Sequence, residues 1–292
     1  MTLTEIIFIL AGTCTVMLFG VKLICLVMVL APKICYPLPE SFMTSLGKWA
    51  VITGGSDGIG RAYAQELSKY GMNVVIISRN QEKLDRAART IELATGVQVK
   101  VIAADFTKDN IYGHIMECIE GLDIGILVNN VGILPSQIPC RLLETADLEE
   151  MCNIVLPGMK ERGRGAVLNV SSGIAKIPCP LYTLYAASKV FVERFSQGLQ
   201  AEYRSKGIII QTVAPFGVST SMTFHQKPDL VTFSAEDFVR SSLKYLRAGD
   251  QTYGSITHTI LGWIMQAIPT WVLRSEAFQD NFEEYVKERI RR

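Results

Sequence analysis

Six short apolar runs, separated by stretches of helical character, constrain the fold of this chain more than any other feature. They are rich in Val, Ile and Leu and comprise Trp49–Thr53, Asn73–Ser78, Val97–Ala103, Ile124–Asn129, Ala166–Val170 and Ile208–Val213. Most are apolar on both faces, as strands between two layers of helices must be. Helical periodicity follows over Gly58–Tyr70, Gln81–Ala94, Asp109–Glu120 and Thr183–Ser205. The alternation predicts an α/β fold with a doubly wound parallel sheet.

A glycine-rich turn, Thr53–Gly60 (T-G-G-S-D-G-I-G), joins the first predicted strand directly to the first predicted helix. Gly54 permits the tight turn, Gly58 lets the backbone approach a pyrophosphate, and Gly60 allows the helix to pack closely on the strand. The helix N-terminus offers free N–H groups to phosphates. The turn therefore predicts the dinucleotide site of a Rossmann fold, at Gly54, Ser56, Asp57, Gly58, Ile59 and Gly60. A glycine-rich turn without a ligand is the alternative.

The end of the second predicted strand indicates which dinucleotide binds. An NAD site usually has an acid there, which holds the ribose 2′-hydroxyl. This strand instead ends in Ser78-Arg79-Asn80. The planar guanidinium of Arg79 can pair with a 2′-phosphate, so the sequence favours NADPH, against the alternative of a solvated surface arginine.

One tyrosine and one lysine have the spacing of an acid/base pair. Of the ten tyrosines, only Tyr185 has a lysine four residues later, at Lys189, which places both side chains on one face of a helix. A nearby ammonium lowers the pKa of a phenol from its ordinary value of about 10, so that it can exchange a proton. Ser172 ends the fifth strand, at the same sheet edge as the glycine-rich turn. Its hydroxyl can bind a carbonyl oxygen while Tyr185 delivers the proton.

These motifs resemble those of the short-chain dehydrogenase/reductase family. Its marks are T-G-x-x-x-G-x-G, N-N-x-G, a serine ahead of Y-x-x-x-K, and P-x-x-x-x-T; the second is Asn129–Gly132 here and the last is Pro215–Thr220. The resemblance covers roughly residues 49–258 and implies an NADP-dependent ketone/alcohol oxidoreductase with a small-molecule substrate.

The resemblance also implies roles for particular residues. Tyr185 would be the acid/base, Lys189 would lower its pKa and hold the nicotinamide ribose, and Ser172 would polarise the substrate oxygen. Further cofactor contacts are implied at the adenine for Asp105, at the nicotinamide ribose for Asn129, and at the nicotinamide for Val218 and Thr220.

Within the family, the chain is most similar to the membrane-bound branch that reduces 17-ketosteroids to 17-beta-hydroxysteroids. The matching stretches are Ala104–Ile111, Ile124–Pro135, Ser171–Ala175, Pro180–Tyr182 and Ala267–Gln279. A branch that reduces very-long-chain 3-ketoacyl-CoA shares the apolar N-terminus and the core. The expected substrate is therefore a steroid, with a fatty-acyl ketone as the alternative.

One interval departs from the family pattern. From Gly132 to Ser172 the chain advances 40 residues (172 − 132), about a dozen fewer than is usual in the family. The missing residues are expected near Glu150–Met151, where the family has a catalytic asparagine that relays protons to the lysine. Asn153 is not assigned that role, because the residues after it match a later part of the family helix. A catalytically impaired NADPH-binding membrane protein is therefore a further alternative.

The N-terminal segment from Ile6 to Leu30 is almost wholly apolar, with the single charge of Lys22. About 20 such residues suffice to span a bilayer. A cleaved signal peptide would have a basic start and a small-x-small site, and neither is present. We therefore expect a membrane anchor at residues 1–33, a linker at 34–48, a catalytic domain at 49–258 and a C-terminal segment at 259–292. Membrane lipid is the expected partner and the endoplasmic reticulum membrane the expected location.

The C-terminal segment contains 14 uncharged residues, Ile260–Leu273, too few to span a bilayer. A lid over an apolar pocket, a segment resting on the membrane, and an ordinary core helix all fit this pattern. The net charge of +1 gives no reason to expect nucleic acid. The seven cysteines and three histidines lack metal-site spacing, so no metal is expected. A homodimer is left open.

Overall fold

The computed structural model describes residues 2–31, 38–39, 41–132 and 146–291. They divide into two compact units, residues 1–38 and residues 39–292. Residues 34–37 and 40 of the expected linker lie outside the described residues. So do residues 133–135, the end of one stretch that matches the family branch.

The first unit contains one long helix, α1, from Leu3 to Leu30. Thr2 and Glu5 form a capping box at its start, which satisfies N–H groups that the helix leaves unpaired. The hydroxyls of Thr13 and Thr15 each donate to a backbone carbonyl four residues earlier, at 2.8 Å. In the described part of the chain, this is the one helix long and apolar enough to cross a membrane. It indicates membrane association.

The second unit is built on a parallel seven-stranded sheet. Its strands are β1 (Trp49–Thr53), β2 (Asn73–Ser78), β3 (Val99–Ala103), β4 (Ile124–Asn129), β5 (Gly165–Val170), β6 (Ile208–Val213) and β9 (Gln251–Thr252). Their order is β3-β2-β1-β4-β5-β6-β9, and each paired neighbour is parallel. Two further short strands, β7 (Val218–Ser219) and β8 (Phe233–Ser234), pair with each other. The doubly wound parallel fold predicted from the sequence is confirmed.

Helices follow the strands. They are α2 (Phe42–Leu46), α3 (Gly58–Lys69), α4 (Gln81–Thr95), α5 (Tyr112–Ile119), α6 (Ala146–Arg162), α7 (Thr183–Tyr203), α8 (Ala235–Leu243), α9 (Ile256–Ala267), α10 (Thr270–Leu273) and α11 (Glu276–Arg291). Side-chain oxygens cap several of them: Asn80 accepts from Lys83 N–H at 2.9 Å at the start of α4. Such caps satisfy the free N–H groups of the first helical turn.

The boundaries differ from the sequence prediction in a few places. The third strand begins at Val99 rather than Val97, and the segment Asp109–Ile111 is a 3-10 turn ahead of α5. On α3, Tyr63 and Leu67 are buried as predicted, whereas Tyr70 lies at the helix end and is 39% exposed. The Tyr63 hydroxyl lies 2.9 Å from Ser242 Oγ, which joins α3 to α8 on one face of the sheet.

The hydrophobic core is built around the central strands of the sheet. All six residues of β4 and of β5 are buried, as expected for strands covered on both faces. Helix α6 packs on this region through a buried stripe of Met151, Cys152, Val155, Leu156 and Met159. Since all the strands of the main sheet run the same way, their carboxyl ends meet at one edge, where the candidate site lies.

Candidate active site

The turn between β1 and α3 has the backbone conformation that its glycines allow. Gly54 has φ +65° and Gly58 has φ +54°, in the left-handed region that favours glycine. A Cβ on Gly60 would collide with the carbonyl oxygen of Gly54, so the helix can begin this close to the strand only with glycine there. The turn thus leaves backbone and the N-terminus of α3 open toward the carboxyl edge, which suits a pyrophosphate.

Asp57 caps the N-terminus of α3. Its Oδ1 accepts from Gly58 N–H at 2.8 Å, and its Oδ2 lies 3.3 Å from Lys83 Nζ. Partial burial acts to raise the pKa of Asp57, but the hydrogen bonds from Gly58, Lys83 and Ser221 outweigh it, so its pKa lies below the ordinary value. The carboxylate is therefore ionised at neutral pH. The Lys83 ammonium offsets its charge beside the expected phosphate position.

Arg79 and Asp105 lie at the far end of the same cleft, after β2 and β3. Hydrogen bonds from the backbone and the hydroxyl of Thr107 lower the pKa of Asp105 below its ordinary value. The positive charges of Lys108 and Arg79 act in the same direction. This end of the cleft therefore offers a guanidinium beside an ionised carboxylate.

Ser172, Tyr185 and Lys189 come together after β5 and at the start of α7. The Ser172 hydroxyl is hydrogen-bonded to the Tyr185 phenol and also lies 3.5 Å from the carbonyl oxygen of Pro215. Lys189 Nζ donates to the carbonyl oxygen of Val170 at 3.1 Å and lies 5.6 Å from the centre of the Tyr185 ring. A hydroxyl, a phenol and an ammonium are thus grouped at the edge where the glycine turn opens.

The pKa of Tyr185 is raised, opposite to the direction expected from the Tyr-x-x-x-Lys spacing. Burial is the largest cause, the hydrogen bond from Ser172 partly opposes it, and Tyr182 raises it further. The spacing does bring Lys189 near the ring, but desolvation of the phenolate dominates. In the chain alone, Tyr185 is therefore a protonated phenol at neutral pH.

These groups line one continuous cleft with a volume of about 1390 Å³. Most of the predicted site residues lie on its surface: Gly54, Asp57, Gly58, Ile59, Arg79, Asp105, Ser172, Tyr185, Lys189, Val218 and Thr220. A cleft of this size is large enough to hold a dinucleotide together with a small substrate.

Three predicted residues do not line the cleft. The Ser56 hydroxyl donates to Ser78 Oγ at 2.9 Å, while Gly60 packs against Gly54. Asn129 is 7% exposed and its Nδ2 donates to Asn169 Oδ1 at 2.9 Å. The side chain of Asn129 is thus bonded within the sheet, and the ribose contact implied for this residue stays a prediction.

Several cleft residues were not anticipated from the sequence. Asn130 lies on the cleft surface; the N-N-x-G motif pointed to this pair, but the role was given to its neighbour. A further group of unanticipated lining residues is largely apolar, with one acid, and comprises Leu181, Tyr182, Leu184, Met222, Phe224 and Glu283. No local pattern marks them, since they come from the segment before α7 and its first turn, from the segment after β7, and from α11.

The C-terminal segment contributes to the cleft differently from the lid hypothesis. No residue of Ile260–Leu273 lines the cleft; Glu283, on the following α11, does. The ring of Phe282 lies 6.0 Å from that of Tyr182, which places α11 beside the start of α7. Large apolar side chains of α9 and α10 are exposed instead, at Ile260, Trp263, Ile264 and Trp271.

Helix α6 lies within the shortened interval between Gly132 and Ser172. Asn153 is exposed on this helix, on the side away from the buried stripe, and does not line the cleft. Among the described residues of α6, it is the only asparagine. No asparagine of the described part of α6 therefore reaches Lys189.

The fold and this site together define the class of protein. The sequence pattern of the family described as short chain dehydrogenase matches residues 48–230. The chain belongs to the short-chain dehydrogenase/reductase family, whose members are oxidoreductases that use NAD or NADP.

Individual members of the family show which of its enzymes this chain is similar to. The chain is 76% identical to 17-beta-hydroxysteroid dehydrogenase type 3 of Danio rerio, with all of both chains covered. It is 49% identical to the enzyme of the same name from Homo sapiens, over 83% of this chain and 82% of that one. The very-long-chain 3-oxoacyl-CoA reductase of Macaca fascicularis is 44% identical, over 81% of this chain and 80% of that protein.

A solved structure supports the fold. A short-chain dehydrogenase from Sphingobium yanoikuyae in complex with NADPH aligns with a TM-score of 0.65 and 28% identity, covering 70% of this chain and 86% of that one. The alignment with the Danio rerio enzyme is longer than this chain. It spans 307 positions and includes all 292 residues, so 15 positions (307 − 292) stand opposite gaps in this chain.

Proposed function

We propose that this chain is an NADPH-dependent reductase of 17-ketosteroids, anchored in the endoplasmic reticulum membrane. The observation that carries the proposal is the grouping of Ser172, Tyr185 and Lys189 in one cleft with the glycine-rich turn. That cleft offers a proton donor beside a place for a nicotinamide cofactor. The similarity to 17-beta-hydroxysteroid dehydrogenases supports the choice of ketone.

The residues of the cleft fit NADPH. The N–H groups at the start of α3, opened by Gly54 and Gly58, would hold the pyrophosphate. Arg79 would pair with the 2′-phosphate, where an NAD-binding protein usually has an acid. Lys189 would hold the nicotinamide ribose. When bound, NADPH supplies the hydride for reduction of the ketone carbon.

The chain's own residues supply the proton and orient the substrate. The Ser172 hydroxyl donates a hydrogen bond to the ketone oxygen, which polarises the carbonyl. The Tyr185 phenol, protonated at neutral pH, donates its proton to the same oxygen as the alcohol forms. The ammonium of Lys189 stabilises the phenolate that remains, because it lies beside the ring.

The apolar part of the cleft suits an apolar ketone. Leu181, Leu184, Met222 and Phe224 present apolar side chains there, and each is partly exposed. Such a wall stabilises a bound hydrocarbon by about 25 cal/mol for each Å² removed from water. A steroid skeleton and a long acyl chain both fit this description; the higher identity to the steroid enzymes favours the steroid.

Membrane lipid is the proposed partner of two segments. Helix α1 has the length and composition of a membrane anchor. The exposed side chains Ile260, Trp263, Ile264 and Trp271 would rest on the bilayer surface, since tryptophan is favoured at the interface between lipid and water.

Purified full-length chain in detergent tests the proposal. NADPH oxidation is followed with androstenedione and, in parallel, with a very-long-chain 3-ketoacyl-CoA. We expect turnover of androstenedione and slower or no turnover of the acyl-CoA. Preference for the acyl-CoA would select the alternative substrate. NADPH binding without turnover of either would select an impaired protein.

The impaired form is a second candidate because of one specific observation. Fifteen positions of the Danio rerio alignment have no counterpart in this chain, and Asn153 faces away from the cleft. If those positions carry the family's relay asparagine, this chain binds NADPH but reduces androstenedione slowly. Inserting the unmatched residues of that relative between Glu150 and Met151 is then expected to raise turnover at least about 100-fold, the lower range for general acid–base catalysis. Robust turnover without the insertion would contradict the impaired form.

A further inference from the structure

His258, on α9, is fully buried and joins two separate parts of the chain. Its Nε2 lies 3.0 Å from the carbonyl oxygen of Val231, and its Nδ1 lies 3.4 Å from the backbone nitrogen of Phe216. A carbonyl oxygen only accepts hydrogen bonds, so Nε2 carries the hydrogen and donates it. Nδ1 then accepts from the Phe216 N–H, as one neutral tautomer requires.

The surroundings of His258 favour that neutral form. The rings of Phe216, Phe233 and Phe238 lie 6.0, 5.0 and 5.6 Å from the imidazole centre. Burial among these rings lowers the pKa of His258, although nearby backbone carbonyls act in the opposite direction. The imidazole is thus a fixed link with one donor and one acceptor in use.

Residues 217–232 are named here the wall segment. Phe216 directly precedes this segment, and Val231 lies next to its last residue. Its base is further closed where Phe233 N–H donates to the carbonyl oxygen of Gly217 at 3.0 Å. Asp229 Oδ1 accepts from the N–H groups of Val231 and Thr232, at 2.8 and 2.7 Å. The other contacts lie between residues of the segment and its neighbours in sequence. The two hydrogen bonds of His258 instead connect both ends of the segment to helix α9.

The tip of the wall segment faces the nucleotide turn and the cleft. Thr220 lies against Gly58, whose added Cβ would be 3.0 Å from Thr220 Cγ2, and Ser221 is hydrogen-bonded to Asp57. Met222 and Phe224 line the apolar part of the cleft. One wall thus touches both the cofactor end and the substrate end.

The backbone of the wall segment is strained at two residues. Phe224 and His225 have φ values of 54° and 51°, in the left-handed region that costs energy for residues other than glycine. A strained turn of this kind persists only where the surrounding structure fixes it. The fixed base of the segment supplies that restraint.

We propose that His258 is a positioning residue that holds the wall segment against the nucleotide turn. It contacts neither cofactor nor substrate, and it sets the binding of both through the two ends of the segment. This inference rests on the proposed function for its effect on NADPH binding. Its effect on the wall segment itself does not depend on activity.

Two substitutions separate this role from a general contribution to folding. His258→Phe fits the aromatic surroundings but leaves the Phe216 N–H and the Val231 carbonyl unpaired. His258→Gln keeps a side-chain N–H that can donate to Val231. Thr259→Val is the matched control, because Thr259 is the next buried residue of α9 and its hydroxyl donates to Ser255 O at 2.7 Å within the helix.

The first measurement is limited chymotrypsin digestion of the folded full-length chain in detergent. Cleavage after Phe224, which is exposed, is followed by mass spectrometry. Two unpaired buried groups weaken the link, so H258F should be cleaved about tenfold faster than the unsubstituted chain. We expect H258Q to be within about threefold of the unsubstituted chain and T259V to match it. Equal cleavage of H258F and the unsubstituted chain would overturn the proposal.

The second measurement is the dissociation constant of NADPH, read from its fluorescence. We expect H258F to raise it about fivefold or more, H258Q to restore it in part, and T259V to leave it unchanged. If NADPH does not bind the unsubstituted chain, the proposed function fails and the cleavage comparison still decides the role of His258. Should H258F not fold, H258N replaces it, since it keeps the acceptor toward Phe216 but cannot reach Val231. H258N cleaved at the same rate as the unsubstituted chain would equally overturn the proposal.

Discussion

At the scale of single residues, charges around the cleft decide what it can bind. At one end, the Asp57 carboxylate is offset by Lys83, which lies 3.3 Å away. At the other end, Arg79 stands near Asp105 and acts on its pKa. Each end of the cleft therefore offers one exposed cation to a phosphate, Lys83 beside the glycine-rich turn and Arg79 after β2. The position of Arg79 supports the proposed use of NADPH, because a guanidinium can pair with the 2′-phosphate that NADH lacks.

Replacing Arg79 by Asp tests this preference. We expect the NADPH dissociation constant to rise about 10- to 100-fold, because a charge-assisted hydrogen bond contributes about 1.5–3 kcal/mol. NADH binding should improve, since an acid at this position can hold the ribose 2′-hydroxyl. Fluorescence titration with both cofactors measures the change. Arg86→Asp on the exposed face of α4 is the control with the same change in charge, and unchanged selectivity of R79D would refute the assignment.

Tyr185 gives a prediction with a defined pH dependence. Burial raises the pKa of its phenol, and the protonated form is the proton donor, so the donor persists to a higher pH than for an ordinary tyrosine. In the chain without cofactor, a difference titration of wild type against Tyr185→Phe should show this phenol ionising only above pH about 10. The same variant should lose about 100- to 10,000-fold in turnover while binding NADPH. Ionisation between pH 7 and 9 would show that Lys189 dominates instead.

At the scale of elements, the strands were the most predictable part of the chain. β1, β2, β4 and β6 have the predicted bounds, because a strand buried on both faces must be apolar throughout. β9 has two residues and no such run, so its place beside β6 depends on long-range packing. The 3-10 turn before α5 was included in a helix, because side-chain periodicity does not distinguish the two backbones at a helix end.

Helix α6 offers a stability test with an internal control. Met159 is fully buried in the core, so Met159→Ala should lower the free energy of unfolding by about 2–5 kcal/mol. Asn153, exposed on the same helix, should change it by no more than about 0.5 kcal/mol when replaced by Ala. Denaturant unfolding of the full chain in detergent measures both. A loss of NADPH affinity in N153A would mean that this side chain does reach the cofactor site.

At the scale of the whole molecule, the site is assembled from residues far apart in the chain. The motif residues were predictable, because each lies where a strand ends and a helix or loop begins, and parallel strands bring those points together. The wall residues Met222 and Phe224, and Glu283 on α11, were not, since no local pattern specifies which loop closes over a cleft. The motif also marks Asn129, and its side-chain amide donates to Asn169 within the sheet, a hydrogen bond that the motif alone did not indicate.

Buried tyrosines make the folded molecule sensitive to alkali. Burial raises the pKa of Tyr63 to about 12, with the hydrogen bond to Ser242 acting weakly in the opposite direction. The unfolded chain releases this proton near pH 10 and the folded chain near 12, so the folded state holds more protons in between. Stability is therefore present below pH 10 and is lost as the pH rises toward 12, by about 2–3 kcal/mol for this residue. Unfolding free energies across that window should fall less steeply for Tyr63→Phe than for the unsubstituted chain; parallel slopes would contradict this.

Helix α1 bears on which substrate concentration determines the reaction rate. If α1 anchors the chain in a bilayer as proposed, a lipophilic ketone partitions into the same lipid, and its encounters with the cleft follow its mole fraction in lipid and not its molarity in water. Adding inert vesicle lipid would dilute the ketone within the membrane and slow its reduction, even with the total amount of every reactant held constant. The enzyme then works as a surface catalyst, sensitive to how much membrane the cell makes.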